Sequence, residues 1–121
     1  MQYLIMLHER RGAGPQEGTP EFDAEMKRWN ELTGELRDAG VLVGVSGLKA
    51  DAVTTLRAPG GDVTVTDGPY AETKEALFSF FVLEAPDLDA VAAWAAKMPS
   101  SAYGSTEIWP MIDRWPGFEQ E

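Results

Sequence analysis

The chain contains no cysteine, which excludes disulfides, thiolate metal sites and thiol nucleophiles. It has a single histidine, His8, and no carboxylate pattern of the calcium-loop kind, so a metal site is not expected. No apolar run approaches the roughly 20 residues needed to span a bilayer. Residues 1–7 have no basic lead and no long apolar core, and they read as a strand rather than a signal peptide. Basic residues are also scarce: 10 against 20 acidic ones, for a formal net charge of −10 and no local basic cluster. Such a surface repels phosphate backbones and anionic lipid, so neither nucleic acid nor a membrane is an expected partner. There is no Walker loop and no dinucleotide fingerprint. Gly12-Ala13-Gly14 lacks the strand–helix context that would make it one. No cofactor is therefore expected, and a cysteine-free acidic chain fits the cytoplasm.

What is present is enough for one domain, residues 1–121. The chain is 44% hydrophobic and 10% aromatic, far from a disordered composition. Residues 3–8 form a first expected strand, with Tyr3, Ile5 and Leu7 on one face and Leu4 and Met6 on the other. Both faces are apolar, so the strand should be covered on both sides. Residues 9–18 are charged and glycine-rich, as in an exposed loop. Thr19-Pro20 opens a helix whose inward stripe is read as Phe22, Met26, Trp29, Thr33 and Leu36, with Gly40 ending it. Residues 41–46 read as a second strand. Residues 53–57 and 62–66 form a hairpin around Pro59-Gly60-Gly61. Its second arm is apolar on one face only, as in an outer strand.

After a turn at Asp67-Gly68-Pro69, residues 76–83 form a further strand. Phe78, Phe80 and Val82 lie on one face, and Leu77, Phe81 and Leu83 on the other. Asp87 caps a second helix that turns Leu88, Val91, Ala92, Ala95 and Met98 inward, with Trp94 bordering the stripe and Pro99 ending it. Residues 106–112 form the last strand, and Pro110 places it at an edge or marks its end. The tail, residues 114–121, carries Trp115 and Phe118 and is expected to pack across the body of the protein.

This order, β-α-β, hairpin, β-α-β, is an α+β fold of the ferredoxin-like split βαβ kind with an inserted β-hairpin. The two strands that are apolar on both faces fall at its central positions. Two helices cover only one face of such a sheet, and the other would be a large exposed apolar patch. A second copy packed sheet to sheet is the economical cover, so a homodimer with a dimeric α+β barrel is expected. The alternative is a monomer whose hairpin and tail fold over that face.

Several residues could carry chemistry. Asp67 either holds its turn or acts as a general base or ligand anchor at the barrel mouth. Burial beside Tyr70 would raise its pKa into a useful range. Glu72 and Lys74 share one side of an extended segment, as a surface ion pair or as an inward pair in which Lys74 holds a carboxylate or enolate. His8 ends the first strand, and histidine is the side chain whose ordinary pKa lies near neutrality. With Asp67 it would make an acid–base pair. Tyr3, Trp29 and Trp109 are core or interface residues, or walls of an aromatic-substrate pocket.

The run Asp67-Gly68-Pro69-Tyr70-Ala71-Glu72-Thr73-Lys74-Glu75 resembles the signature of DGPF-domain proteins, a branch of the YCII-related family, with Tyr70 in place of the usual Phe. The Met1-Gln2-Tyr3 opening, Ala39-Gly40-Val41-Leu42, Gly47-Leu48 and the Glu107-to-Pro110 ending agree with it. The resemblance implies a dimeric α+β barrel, a bacterial source and a possible association with an extracytoplasmic-function sigma factor. Better-understood relatives pair a His near the start of the first helix with an Asp. This chain has no His there, so that dyad does not carry over. Trp109 stands where the family ending has Arg. Two functional readings follow: a ligand-binding or regulatory module for a small polar or aromatic molecule, and a cofactor-independent acid–base enzyme using Asp67 and His8. A monooxygenase of similar fold is a more distant third, supported by shared architecture alone.

Overall fold

The computed structural model describes residues 1–69 and 74–119. Its centre is a four-stranded antiparallel sheet in the order β2-β5-β1-β6, built from β1 (Gln2–Glu9), β2 (Leu42–Gly47), β5 (Ala76–Glu84) and β6 (Ser105–Pro110). The doubly apolar strands β1 and β5 are central, as their patterning requires, and β6 is an edge strand that ends at Pro110. The fold is α+β and ferredoxin-like. The inserted hairpin, β3 (Thr54–Arg57) and β4 (Thr64–Asp67), forms a separate two-stranded sheet rather than an outer strand of the main one. A last hairpin, β7 (Arg114–Trp115) and β8 (Phe118–Glu119), also stands alone. Among the described residues no helix is long and apolar enough to cross a membrane.

Helix α1 (Pro20–Asp38) begins where its cap dictates. The Thr19 hydroxyl accepts the Phe22 N–H at 3.2 Å and donates to the Gln16 carbonyl at 2.6 Å. Glu21 and Asp23 in the first turn and Arg37 in the last match the helix dipole. At the other end Gly40, at φ +73°, lets Gly40 N–H reach the Arg37 carbonyl and Val41 N–H reach the Leu36 carbonyl, closing a Schellman motif. Helix α2 (Leu88–Ala95) starts at Asp87, whose carboxylate accepts the Ala90 N–H at 2.9 Å. It stops at Ala95, a turn short of the expected end, and a 3-10 turn follows over Pro99–Ala102.

Both helices pack on one face of the sheet. The core there joins Tyr3, Ile5 and Leu7 of β1, Phe81 and Leu83 of β5, Leu32 and Leu36 of α1, and Val91 and Met98 around α2. Trp29 stacks on Phe81 with ring centroids 5.9 Å apart. The stripe of α1 differs from the expected one: Met26 is exposed, and Glu25 is buried in its place. An acid is tolerated there because the Tyr103 hydroxyl donates to Glu25 Oε2 at 2.9 Å. On α2, Leu88 and Ala92 face outward, leaving Val91 and Ala95 as its buried residues. Phe78 also changes side. The β1–β5 register slips between Leu7 and His8, which pair with Ser79 and Leu77, so Phe78 falls in a bulge and packs against the helix-side core.

The other face of the sheet is open in this chain. Leu4, Met6, Phe80 and Val82 there are half-buried, while Leu56, Val63 and Val65 on the inserted hairpin and Trp115 and Phe118 on the last hairpin are exposed, and neither hairpin packs substantially on the main sheet. The tail therefore forms its own hairpin instead of packing across the body.

Candidate functional site

The open face is organised by two antiparallel registers. Across β6, β1 and β5, Trp109 opposes Leu4, which opposes Val82, and Glu107 opposes Met6, which opposes Phe80. Ser105 opposes His8, which opposes Leu77. Residues opposed in an antiparallel pair share a face, and residues two apart on a strand share it too. Leu4, Met6, Phe80, Val82 and Trp109 thus form one apolar bed, with His8, Ser105 and Glu107 at one end of it.

At that end His8 Nε2 lies 2.7 Å from Glu107 Oε1, a hydrogen-bonded ion-pair geometry between diagonal neighbours. The imidazole is the more sheltered partner, with its side chain 21% exposed against 51% for Glu107. An ionised carboxylate only accepts, so Nε2 carries the proton of this hydrogen bond and, in the neutral ring, Nδ1 is the free base. Ser105 donates its hydroxyl to the Glu75 carboxylate, fastening the chain just before β5 beside β6. Gly104 fits the same corner because it has no side chain: a Cβ there would lie 2.2 Å from the His8 carbonyl oxygen.

Two of the expected site residues are on this face. His8 is one, with Glu107 as its carboxylate, a partner that sequence reasoning did not supply. Trp109 is the other, on the apolar bed and 54% exposed. Asp67 lies elsewhere, exposed at the end of β4 and opposite Thr54 in the separate hairpin. Its turn is held by backbone and by Thr55: Gly68 N–H donates to the Val53 carbonyl at 2.7 Å, and the Thr55 hydroxyl donates to the Gly68 carbonyl at 2.6 Å. Among the described residues no hydrogen bond or ion pair joins Asp67 to His8. Lys74 is exposed. Tyr70 and Glu72 lie outside the described residues.

A second polar cluster sits on the helix-covered side, at the end of β1. Glu9 is held above its ordinary pKa of 4.5, first by burial and then by the nearby charge of Glu25. Tyr103 is pushed up by burial, then by its hydrogen bond to Glu25 and by the carboxylate charge there. Arg28 stands 4.0 Å from the other Glu25 oxygen. Among the described residues no three His, Asp or Glu side chains converge as metal ligands.

The strand order and the two helices on one face define a ferredoxin-like α+β protein with a polar pair on its open sheet face. The chain belongs to the YCII-related family, whose domain model matches residues 1–114. It is 28% identical over 120 residues to an uncharacterized protein of Rhizobium meliloti (strain 1021), covering 97% of each chain. Among solved structures it is similar to the 5-chloro-2-hydroxyhydroquinone dehydrochlorinase TftG of Burkholderia phenoliruptrix AC1100, in complex with 2,5-dihydroxybenzoquinone. The TM-score is 0.50 at 15% identity, over 94% of this chain and 96% of that one. At that identity the likeness concerns the fold.

Proposed function

We propose that this protein binds a small polar or aromatic molecule against the open face of its sheet, in a space closed by a second copy of the chain. The observation that carries the reading is the placement of the His8–Glu107 pair at the end of an apolar bed. Leu4, Met6, Phe80, Val82 and Trp109 offer a flat, ring-sized surface, and the pair supplies a donor and an acceptor beside it. A second copy is the cover that fits, because the chain's own hairpins leave the face open and a net charge of −10 favours association only through an uncharged surface.

Catalysis is favoured over simple retention of a ligand by the same pair. Glu107 fixes the tautomer and direction of the His8 ring, which leaves Nδ1 to take a proton from a bound molecule and return it. The reaction class is cofactor-free proton transfer, as in isomerisation or elimination. TftG, a dehydrochlorinase bound to a dihydroxybenzoquinone, makes hydroxylated quinones the first compounds to try.

The test combines binding and proton exchange. 2,5-Dihydroxybenzoquinone should raise the melting temperature of the wild-type protein, and its ring protons should exchange with deuterated solvent faster in the protein's presence. His8→Asn and Glu107→Gln should lose the exchange while still melting cooperatively. An undiminished exchange rate in His8→Asn would rule out the catalytic role and leave a ligand-binding or regulatory module.

A further inference from the structure

A cleft of about 430 Å³ opens beside the end of β1, between two tight turns. Ala13 N–H donates to the Arg10 carbonyl at 2.9 Å, closing the turn that carries Arg11. Ala52 N–H donates to the Lys49 carbonyl at 3.0 Å, closing the turn that carries Lys49 and Asp51. Leu48 N–H donates to the Phe78 carbonyl at 2.8 Å, which ties the second turn to β5. Leu48 and Phe78 line the cleft with apolar surface, and Glu9, Arg11, Lys49 and Asp51 line it with charge. The bulge that moves Phe78 off the open face is what supplies this wall.

The charges are not spent on one another. Among the described residues neither Arg11 nor Lys49 has an ion-pair partner, although Glu9 and Asp51 line the same cleft. In a chain with twice as many acidic as basic residues, the cleft lining is balanced, two cations without ion-pair partners beside Glu9 and Asp51 around an apolar surface.

We propose that this cleft binds a small aromatic carboxylate, its ring against Phe78 and Leu48 and its carboxylate between Arg11 and Lys49. Arg offers a planar fork and Lys a mobile point charge, a combination suited to a carboxylate approaching edge-on. Glu9, whose pKa is raised by burial and then by the charge of Glu25, lines the same cleft and faces the ligand's ring substituents. The site shares no residue with the open-face pair, so each can fail without the other.

The test is an NMR titration of the full chain with benzoate and 4-hydroxybenzoate, with benzyl alcohol as the neutral counterpart. Saturable shifts of the Gly12, Leu48 and Ala50 amides are expected with the carboxylates. Replacing both cations, Arg11→Ala with Lys49→Ala, should weaken binding by about tenfold or more, the loss expected of charge-assisted hydrogen bonds. Both side chains are exposed, so the variant should fold, and the conservative pair Arg11→Lys with Lys49→Arg should retain binding. His8→Asn should bind benzoate as the wild type does. The proposal is overturned by an absence of saturable shifts at millimolar benzoate, by equal affinity in the double alanine variant, by equal affinity for benzyl alcohol, or by shifts confined to β1 and β6 on the open face.

Discussion

Gly104 meets the His8 carbonyl so closely that even a methyl group has no place. An alanine Cβ would sit 2.2 Å from that oxygen, and the obstacle is backbone, which has no rotamer to yield. Gly104→Ala should therefore destabilise the fold by about 1–3 kcal/mol, the usual cost of overpacking a tight site, and move His8 away from Glu107. Chemical denaturation measures the first effect, and the His8 ring resonances report the second. Glu9 makes a prediction of different form. Burial and Glu25 raise its pKa above 4.5, so the folded chain holds that proton more tightly than the unfolded one. Its contribution to stability is full below the ordinary value and is lost as pH rises through the raised one. Glu9→Gln should remove that decline from the stability–pH curve. A curve of unchanged shape in the variant would mean that Glu9 is not desolvated as described.

At the scale of elements, a part-buried hydrogen bond ties α1 to the segment leading into β6. Tyr103 donates to Glu25, which is only 5% exposed, and Gly14 lies against the same ring, where a Cβ would be 2.9 Å from the hydroxyl. Tyr103→Phe keeps the ring and removes the donor, leaving a buried carboxylate with Arg28 at 4.0 Å as its other polar neighbour. The expected loss is about 1–3 kcal/mol, seen as a lower denaturation midpoint with little change in slope. Glu25→Gln in the Tyr103→Phe background should recover part of it, because a neutral amide is cheaper to bury.

The same elements show how far the sequence could be read. The start of α1 was legible because Thr19 and Pro20 act locally, and its end because Gly40 does. The stripe between them was misread at two positions, Met26 for Glu25 and Thr33 for Leu32: Phe22, Glu25, Trp29, Leu32 and Leu36 recur at three and four as regularly as the expected set, but an acid in an inward row is ordinarily solvent-facing. Phe78 could not be placed, since the bulge that turns it arises from pairing with β1 and not from its own neighbours. The His8–Glu107 pair depends on the β1–β6 register across 99 residues of chain. The signal was present in the alternation of each strand, which puts His8 with Leu4 and Met6 and Glu107 with Trp109. What the strands alone did not give was the register that brings the two rows together. Asp67 was singled out for a turn that the structure holds with backbone and with Thr55.

For the whole molecule, the governing fact is a sheet with one face covered and one face apolar and open. Leu4, Met6, Phe80 and Val82 belong to the two central strands, and no described part of the chain lies over them as α1 and α2 lie over Tyr3, Ile5 and Leu7. Hydrophobic surface of this kind in a strongly acidic protein would direct any association to one place. A two-fold pairing of these faces would enclose His8 and Glu107 and raise the strength of their interaction by excluding water. The inserted hairpin and the aromatic C-terminal hairpin, both with exposed apolar side chains, would then lie where they can extend the contact.

Native mass spectrometry of the wild-type chain beside Phe80→Glu, with the same samples repeated under denaturing conditions, tests this most directly. The account predicts a wild-type dimer and a folded monomeric variant, because one carboxylate on the open face disrupts the pairing without touching the helix-side core. Any mass that leaves the dimer on denaturation would then identify what the enclosed face holds. A wild-type protein that is monomeric, or a Phe80→Glu variant that dimerises as well as the wild type, would contradict the account.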